Sequence, residues 1–146
     1  MLKPDALDRH LVFQVMSYFD GKGIAIRCFD LQTATAEKME QHYAENIRNY
    51  GPDFRRKTLA MFENRQVIPV ILTGSPGVVA LVRQIVGSTQ PAKAAPGTIR
   101  GDLGLSDSYE RSAAENRLVR NLIHASDSPE AAEREARIWL PEFIPA

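Results

Sequence analysis

The sequence predicts an α+β fold in which helices cover one or both faces of a small mixed or antiparallel sheet. Its apolar pattern alternates in the order strand, helix, strand, helix, helix, strand, helix, long loop, strand, helix. The chain has 146 residues, so we expect residues 1–146 to form a single domain with its own core. Apolar residues make up 44% and charged residues 25%, which is ordinary for a soluble globular protein.

The first half of the chain is predicted to begin the sheet and to contribute three helices. The predicted elements are a strand end at residues 1–2, a polar turn at 3–9, a helix at 11–20, a strand at 24–32, and helices at 36–47 and 54–65. Leu11, Val15 and Phe19 have helical spacing. Thr35 is a suitable N-cap, and the stretch "NYGPD" separates the last two helices.

The second half is predicted to complete the sheet around a long loop. The predicted elements are a strand at 67–74, a helix at 77–86, a loop at 87–101, a mixed segment with weak helical potential at 102–119, a short strand at 120–124 and a helix from 129. Pro69 favours an edge position or a bulge in its strand, because proline has no N–H for the ladder. Ser128 is the predicted N-cap of the last helix, and Pro129 suits its first turn.

Charge and composition narrow the classes of partner. Lysine plus arginine equals aspartate plus glutamate at 18 each, so any polyanion must meet a local cluster of positive charge. Cys28 is the only cysteine, which excludes an internal disulfide and favours a reducing compartment. No apolar run has the length of a membrane span, and no signal peptide is apparent. We therefore expect a cytoplasmic protein with no membrane and no specific nucleic-acid partner.

The stretch "RNLIHASDS", residues 120–128, places His124 at the end of an apolar strand and just before a helix. The two earlier glutamates of that helix each have an arginine four residues later, whereas Glu135 has none and shares its side with Trp139. A carboxylate that faces the sheet is costly without a partner, so a hydrogen bond from His124 to Glu135 is expected. Such a bond would protonate one ring nitrogen and leave the other free as a nucleophile.

A plainer interpretation of the same residues remains open. Glu135 would extend to a solvated rim, and His124 would be an ordinary residue at a strand end. The other two histidines carry weaker signals, because His10 follows a polar turn and His42 lies near a helix end, where we expect it to be packed or solvated.

Four stretches resemble the nucleoside diphosphate kinase family, in the family's order. They are "KPDAL" at 3–7, "HY" at 42–43, "GSTQPAKAAPGTIRGD" at 87–102 and "RNLIHASDSPEAAEREARIW" at 120–139. The third resembles the family's phosphate-binding loop over its whole length, and the similarity covers almost all of the chain. The resemblance implies a ferredoxin-like βαββαβ sandwich with a four-stranded antiparallel sheet covered by helices.

The resemblance also implies an enzyme that passes the γ-phosphate of a nucleoside triphosphate such as ATP to a nucleoside diphosphate. His124 would be the phosphorylated nucleophile, Glu135 would orient its imidazole, and Ser126 would contact the same pair. Phosphates and ribose would be held by Lys3, Arg83, Thr89, Arg100 and Asn121, while Tyr43 would line the site and Phe54 would stack on the base. Substrates would include ATP, GTP, GDP, UDP and CDP, and the chain would form a homo-oligomer, a tetramer or hexamer built from dimers.

These residue types suit phosphoryl transfer, which depends on positioning and charge neutralisation. Arginine grips phosphate oxygens in bidentate fashion, and Lys3 would place a point charge close to the transferred group. Arg100 lies in the glycine-bounded stretch "GTIRGD", where we expect ligand contact rather than core packing. We expect Mg²⁺ as cofactor, held chiefly by the nucleotide's phosphates and water and not by a protein metal site. The sequence has no GxxxxGK motif followed by Ser or Thr, so it is not a P-loop enzyme.

Simpler roles remain open for three of these residues. Arg83 would lie at the rim of an apolar helix, Thr89 would be a turn residue, and Phe54 would belong to the core. Two rival functions also fit the fold: a nucleotide-binding regulatory or interaction module with little turnover, and a purely structural ferredoxin-like domain. The first would be expected to lack a histidine, lysine or arginine of the site, and the second needs no buried glutamate behind a strand-end histidine.

The sequence departs from the family pattern in three places. Only two residues precede Lys3, so either the numbering begins late or the first strand is trimmed. A trimmed strand would weaken the sheet beneath that lysine. The segment 44–70 is longer and more basic than usual and lacks the glycine-proline pair that commonly precedes the next strand, which affects the assignment of Phe54. Residues 103–120 link the phosphate-binding loop to the strand that ends in His124, and this link is about ten residues longer than usual. It resembles the long-loop variants of some archaeal and bacterial members. We expect this segment to form a hairpin or short helix that covers the nucleotide or alters subunit contacts.

Overall fold

The computed structural model describes residues 1–144 and shows a sheet with helices on both faces. The helices are α1 (Pro4–Asp8), α2 (Val12–Ser17), α3 (Ala36–His42), α4 (Ala44–Phe62), α5 (Val78–Val86), α6 (Ile99–Leu103), α7 (Tyr109–Ala114) and α8 (Pro129–Trp139). The strands are β1 (Ile24–Phe29), β2 (Gln32–Thr33), β3 (Gln66–Val67) and β4 (Val70–Gly74), and short 3₁₀ turns cover Pro91–Lys93 and Pro141–Phe143.

The strands pair in the order expected of a ferredoxin-like sheet. β1 pairs antiparallel with β4, and β2 pairs antiparallel with β3. Leu2 forms antiparallel bridges to Ile68 on one side and to Ile123 on the other. Leu2 therefore lies at a central position of the sheet, between the last strand and the β3–β4 strand, and β1 lies at the edge of the sheet. The predicted four-stranded antiparallel arrangement is confirmed, with its first and last strands reduced to single bridges.

Pro69 divides the strand predicted over residues 67–74. β3 ends at Val67 and β4 begins at Val70, and the register shifts between Ile26 and Cys28 on the facing strand. The carbonyl of Pro69 accepts a hydrogen bond from the Asp30 N–H at 3.3 Å. The missing proline N–H therefore interrupts the strand at Pro69, whereas the bulge lies on the facing strand β1 and not at the proline.

Both predicted helix N-caps are confirmed. The Thr35 hydroxyl accepts the Lys38 N–H at 3.2 Å, and the Ser128 hydroxyl accepts the Ala131 N–H at 3.0 Å. The break predicted at "NYGPD" is a kink inside α4, where Gly51 has φ 78° and ψ −165°. A positive φ of this kind is readily adopted only by glycine.

Three local structures differ from the sequence predictions. The turn at 3–9 contains α1, because Pro4 fills a first-turn position where its missing N–H leaves no bond unmade. The loop at 87–101 runs into α6, which Thr98 caps by accepting the Gly101 N–H at 3.0 Å. The helix in the long segment after α6 begins at Tyr109, earlier than the weak apolar pattern indicated.

Alternate strand residues pack into two hydrophobic clusters, because successive strand side chains point to opposite faces. Ile68 and Val70 pack with helices α1, α2, α5 and α6. Val67 and Ile71 pack with α3, α4 and α8. Among the helices within residues 1–144, none combines the length and the apolar character that a membrane crossing requires.

Candidate active site

His124 lies where the last strand ends, beside the first residues of the chain. Its N–H donates to the Met1 carbonyl at 2.9 Å, and the Met1 amino group donates to the His124 carbonyl at 2.9 Å. These bonds fix the backbone on both sides, while the imidazole is 21% exposed and faces a cleft. The strand thus delivers a ring nitrogen to an accessible surface.

The hydrogen bond expected between His124 and Glu135 is present. Nε2 of His124 lies 2.8 Å from Oε2 of Glu135, and the Ser126 hydroxyl donates to the same oxygen at 2.6 Å. An ionised carboxylate only accepts hydrogen bonds, so Nε2 carries the proton and Nδ1 keeps a free lone pair. Glu135 is only 9% exposed, which excludes the plainer interpretation of a carboxylate on a solvated rim.

The surroundings of His124 keep the imidazole neutral. Burial, and then the positive charges of the Met1 amino group, Lys3, Arg100 and Arg83, hold the pKa of His124 well below its usual range. At neutral pH the Nδ1 lone pair is therefore available for attack on an electrophile.

Lys3, Asn121 and Thr89 form a polar wall beside the imidazole. Nζ of Lys3 donates to Oδ1 of Asn121 at 2.7 Å, and Nδ2 of Asn121 donates to the Thr89 carbonyl at 2.8 Å. Burial, with a smaller effect from Arg100, lowers the pKa of Lys3 to about 8. The Lys3 N–H also donates to the Leu122 carbonyl at 2.8 Å, so main-chain pairing continues at this lysine despite the short first strand.

Arg100 corrects one expectation, because it is packed and not free in a loop. It lies in α6, is 8% exposed, and donates to the carbonyls of Asn121 at 3.2 Å, Gly87 at 3.1 Å and Ile123 at 2.5 Å. Burial lowers its pKa to about 10. Only a long-range contact creates this packing, so the local glycine pattern could not reveal it. Arg100 both joins α6 to the last strand and lines the cleft.

Arg83, Tyr43 and Phe54 complete the set of predicted residues. Arg83 is exposed and donates to the Ala125 carbonyl at 3.3 Å. The buried Tyr43 ring stands edge-on to His124, with centroids 5.8 Å apart, and to Phe54 at 6.1 Å. Phe54 is half-buried on α4, so it is neither a fully buried core residue nor an isolated surface ring.

The predicted residues converge on one cleft of about 800 Å³, a volume suited to a small-molecule ligand. Those that line it are Lys3, Tyr43, Phe54, Arg83, Thr89, Arg100, Asn121, His124 and Glu135. Ser126 lies behind this surface, against Glu135. The lysine and arginines bring positive charge to one side of the imidazole, although the whole chain has a formal net charge of zero.

The sequence assigns no role to His42 beyond its place in the stretch "HY", yet its ring lies 4.4 Å from that of His124, centroid to centroid. Nδ1 of His42 accepts the Trp139 indole N–H at 3.2 Å, and its buried Nε2 has no partner within residues 1–144. Burial, followed by the proximity of His124, holds the pKa of His42 well below its usual range. Its position directly before Tyr43 is the one local hint that it packs beside the site.

Within residues 1–144, one group of three side chains has the spacing of metal ligands: His42, His124 and Glu135. The donor set does not suit Mg²⁺, which prefers oxygen ligands. The Trp139 N–H occupies Nδ1 of His42, which leaves the other nitrogen of that neutral ring protonated and unable to coordinate.

Comparison with protein families gives the same result as the resemblance in the sequence. The family model for nucleoside diphosphate kinase matches residues 1–144. A nucleoside diphosphate kinase of Chloroflexus aurantiacus is 40% identical over 140 residues, which cover 96% of this chain and 83% of the relative. One from Mycobacterium marinum is 39% identical over 142 residues and covers 97% and 93% respectively.

Solved structures show the same fold. A transition-state mimic of the nucleoside diphosphate kinase from Borrelia burgdorferi, with bound vanadate and ADP, has a TM-score of 0.87 and 27% identity, covering 99% of this chain and 88% of that one. The enzyme from Pyrobaculum aerophilum has a TM-score of 0.83 and 32% identity, covering 95% and 92%. Because the family model matches residues 1–144 and the site groups lie together in one cleft, the chain belongs to the nucleoside diphosphate kinase family of phosphotransferases.

Proposed function

We propose that the chain transfers the γ-phosphate of a nucleoside triphosphate to a nucleoside diphosphate through a phosphohistidine at His124. The observation that carries this proposal is the 2.8 Å contact between Nε2 of His124 and Glu135. It fixes the proton on Nε2 and leaves Nδ1 free on a ring that lines a cleft together with lysine and arginine. This contact supports His124 as the nucleophile and Glu135 as the carboxylate that orients it.

Two displacements at phosphorus complete the reaction. In the first, Nδ1 attacks the γ-phosphorus, an N–P bond forms, and the bond to the oxygen that bridges the β-phosphate breaks. The nucleoside diphosphate leaves with that electron pair. In the second, a terminal oxygen of another diphosphate attacks the phosphohistidine, the N–P bond breaks, and its electrons return to Nδ1. Because one product leaves before the second substrate binds, the kinetics are ping-pong.

The side chains around His124 supply the charge neutralisation that phosphoryl transfer needs. Lys3 would contact the transferred group, and Arg83 and Arg100 would contact the phosphates beside it. Thr89 and Asn121 would bind phosphate and ribose oxygens, while Tyr43 lines the site and Ser126 supports Glu135. Phe54 would stack on the base. Bound Mg²⁺, held by the phosphates and water, would neutralise further phosphate charge.

The substrates that fit this cleft are nucleoside triphosphates and diphosphates, including ATP, GTP, GDP, UDP and CDP. We extend the proposal to a homo-oligomer, a tetramer or hexamer of dimers, and to a cytoplasmic location. The exposed apolar side chains of the edge strand support assembly, and the unpaired thiol of Cys28 suits a reducing compartment.

The test is labelling of the protein with γ-labelled ATP and Mg²⁺ in the absence of an acceptor. We expect a bound phosphate that is acid-labile and base-stable, as a phosphoramidate is, and that any nucleoside diphosphate removes. His124→Ala should abolish the label, and Glu135→Ala should weaken it because the ring loses its orientation. Persistence of the label in His124→Ala, or stability of the label to acid, would refute the mechanism.

The control for this experiment should be His10→Asn rather than a change at His42. His10 is exposed with φ 56°, a backbone conformation that asparagine also adopts. His42 is buried against the nucleophile, so its replacement would disturb the site that it is meant to leave intact.

A further inference from the structure

The segment of residues 103–120, which we call the insertion, forms one wall of the cleft. Tyr109, Ser112 and Leu118 line the same cavity as Thr89 and Arg100. The insertion also contacts α4, since the Arg56 guanidinium donates to Oδ1 of Asn116 at 2.7 Å. α4 lines the cleft through Asp53, Phe54 and Lys57, so a ligand in the cleft would contact both elements.

Asp107 anchors the insertion firmly. This carboxylate is 4% exposed and accepts two bonds from the Arg117 guanidinium, at 2.7 and 3.0 Å, and one from the Arg120 N–H at 2.7 Å. Its carbonyl accepts the Ala92 N–H at 3.0 Å, which ties the insertion to the phosphate loop. A charged group buried this deeply with several hydrogen bonds fixes the backbone around it.

Tyr109 is the side chain that this anchoring presents to the cleft. Its N–H donates to Oε1 of Gln90 at 3.0 Å, beside Thr89. Ser108 caps the helix that begins at Tyr109, by accepting the Arg111 N–H at 3.2 Å. The side chain nevertheless remains 54% exposed, although its main chain is held on both sides.

We propose that Tyr109 is a nucleotide-binding residue whose hydroxyl donates a hydrogen bond to a phosphate oxygen of the bound nucleotide. This inference rests on the proposed function. A phenol is neutral at pH 7 and donates one hydrogen bond, so it adds a directional contact to the point charges of Lys3 and Arg100. The main chain of Tyr109 is hydrogen-bonded to Gln90, the neighbour of Thr89, so Tyr109 lies on the side of the cleft that Thr89 and Arg100 line.

The first test compares Tyr109→Phe with the full wild-type chain in calorimetric titration with ADP and Mg²⁺. Phenylalanine keeps the ring and removes only the hydroxyl, so we expect the Kd for ADP to rise about tenfold with the melting temperature unchanged. Tyr18→Phe is the matched control, because it also removes a single phenol hydroxyl, one that donates to Asp102 at 2.9 Å and lies outside the cleft. An ADP affinity for Tyr109→Phe within twofold of wild type would overturn the inference, as would an equal loss in Tyr18→Phe.

The second test asks whether the anchor places the tyrosine. Asp107→Asn should raise the Kd for ADP. Adding Tyr109→Phe to that variant should raise the Kd much less than the same change does in the wild-type chain. Fully additive losses would show that the anchor does not position Tyr109. If Asp107→Asn fails to fold, Tyr109→Phe still decides the main proposal.

The two proposals fail in distinguishable ways. A wild-type chain that forms acid-labile phosphohistidine but binds ADP equally well with Tyr109→Phe refutes only the role of Tyr109. A chain whose ADP affinity depends on Tyr109 but which never forms phosphohistidine refutes only the kinase mechanism.

Discussion

At the scale of single residues, the lowered pKa values in the cleft define the pH range of the reaction. Burial and Arg100 lower the pKa of Lys3 to about 8, against a smaller opposing effect of Asp5. The pKa of His124 is held well below its usual range, so its imidazole stays neutral as the pH falls through that range. Lys3 is charged only below its own pKa, so kcat/KM should fall as the pH rises through about 8. On the acid side, the neutral imidazole should keep the rate nearly constant through pH 6.5. A pH–rate profile of kcat/KM for ATP and an acceptor diphosphate measures both limbs.

Lys3→Arg identifies the group responsible for the alkaline limb. A guanidinium remains protonated well above the pKa of a buried lysine, so the fall in kcat/KM should move to higher pH even if the maximum rate is lower. An alkaline limb at the same pH in both proteins would mean that another group titrates there.

The two cleft arginines should differ in how far they support folding. Arg100→Ala removes hydrogen bonds to three main-chain carbonyls, so we expect the free energy of unfolding to fall by about 2 kcal/mol or more. Turnover should be lost as well. Arg83→Ala removes one exposed 3.3 Å bond and should lower turnover with little effect on stability. Urea denaturation and steady-state kinetics on both variants test the contrast, and equal stability of the two would contradict it.

At the scale of elements, α4 and the insertion both line the cleft, and we expect them to hold the base between them. α4 brings Phe54, whose ring lies 5.6 Å from that of Tyr50, and the insertion brings Leu118. Stacking on an aromatic face and apolar contact tolerate any base, since every base has a π-face. We therefore expect kcat/KM for GDP, UDP and CDP to lie within about a hundredfold of one another, a spread of about 2.7 kcal/mol. Larger discrimination would indicate that a polar side chain of the cleft, such as Asn46, hydrogen-bonds the base.

The same elements show which parts of the fold a single sequence can predict. α8 and α3 follow from strong caps and periodicity, because the signals that form them are local. The interruption of the strand at Pro69 follows from a missing N–H, which is also a local property. In contrast, the packing of α6 could not be predicted, because Arg100 is buried by carbonyls from the last strand, more than twenty residues away.

The site follows the same rule. His124 and Glu135 could be paired from the sequence, since a carboxylate without a partner on an apolar helix face requires one nearby. His42 and Tyr109 could not be found this way, because their significance depends on contacts between distant segments. The ring of His42 meets His124, and the backbone of Tyr109 is held by Gln90.

At the scale of the whole molecule, β1 leaves an open edge that a second copy of the chain would cover. Within residues 1–144, β1 pairs only with β4, and its outer backbone groups are a template for further strand pairing. Ile26, Phe29 and Leu31 are exposed along this edge, at 46%, 62% and 53%.

Light scattering coupled to size exclusion should therefore show an oligomer. The double change Ile26→Lys with Phe29→Lys should shift this oligomer toward smaller species, because two buried charges would oppose pairing. Leu105→Asn, at an exposed apolar residue of the insertion with φ 53°, should leave assembly unchanged. A wild-type monomer at micromolar concentration, or an unchanged oligomer in the double variant, would show that this edge is not the interface.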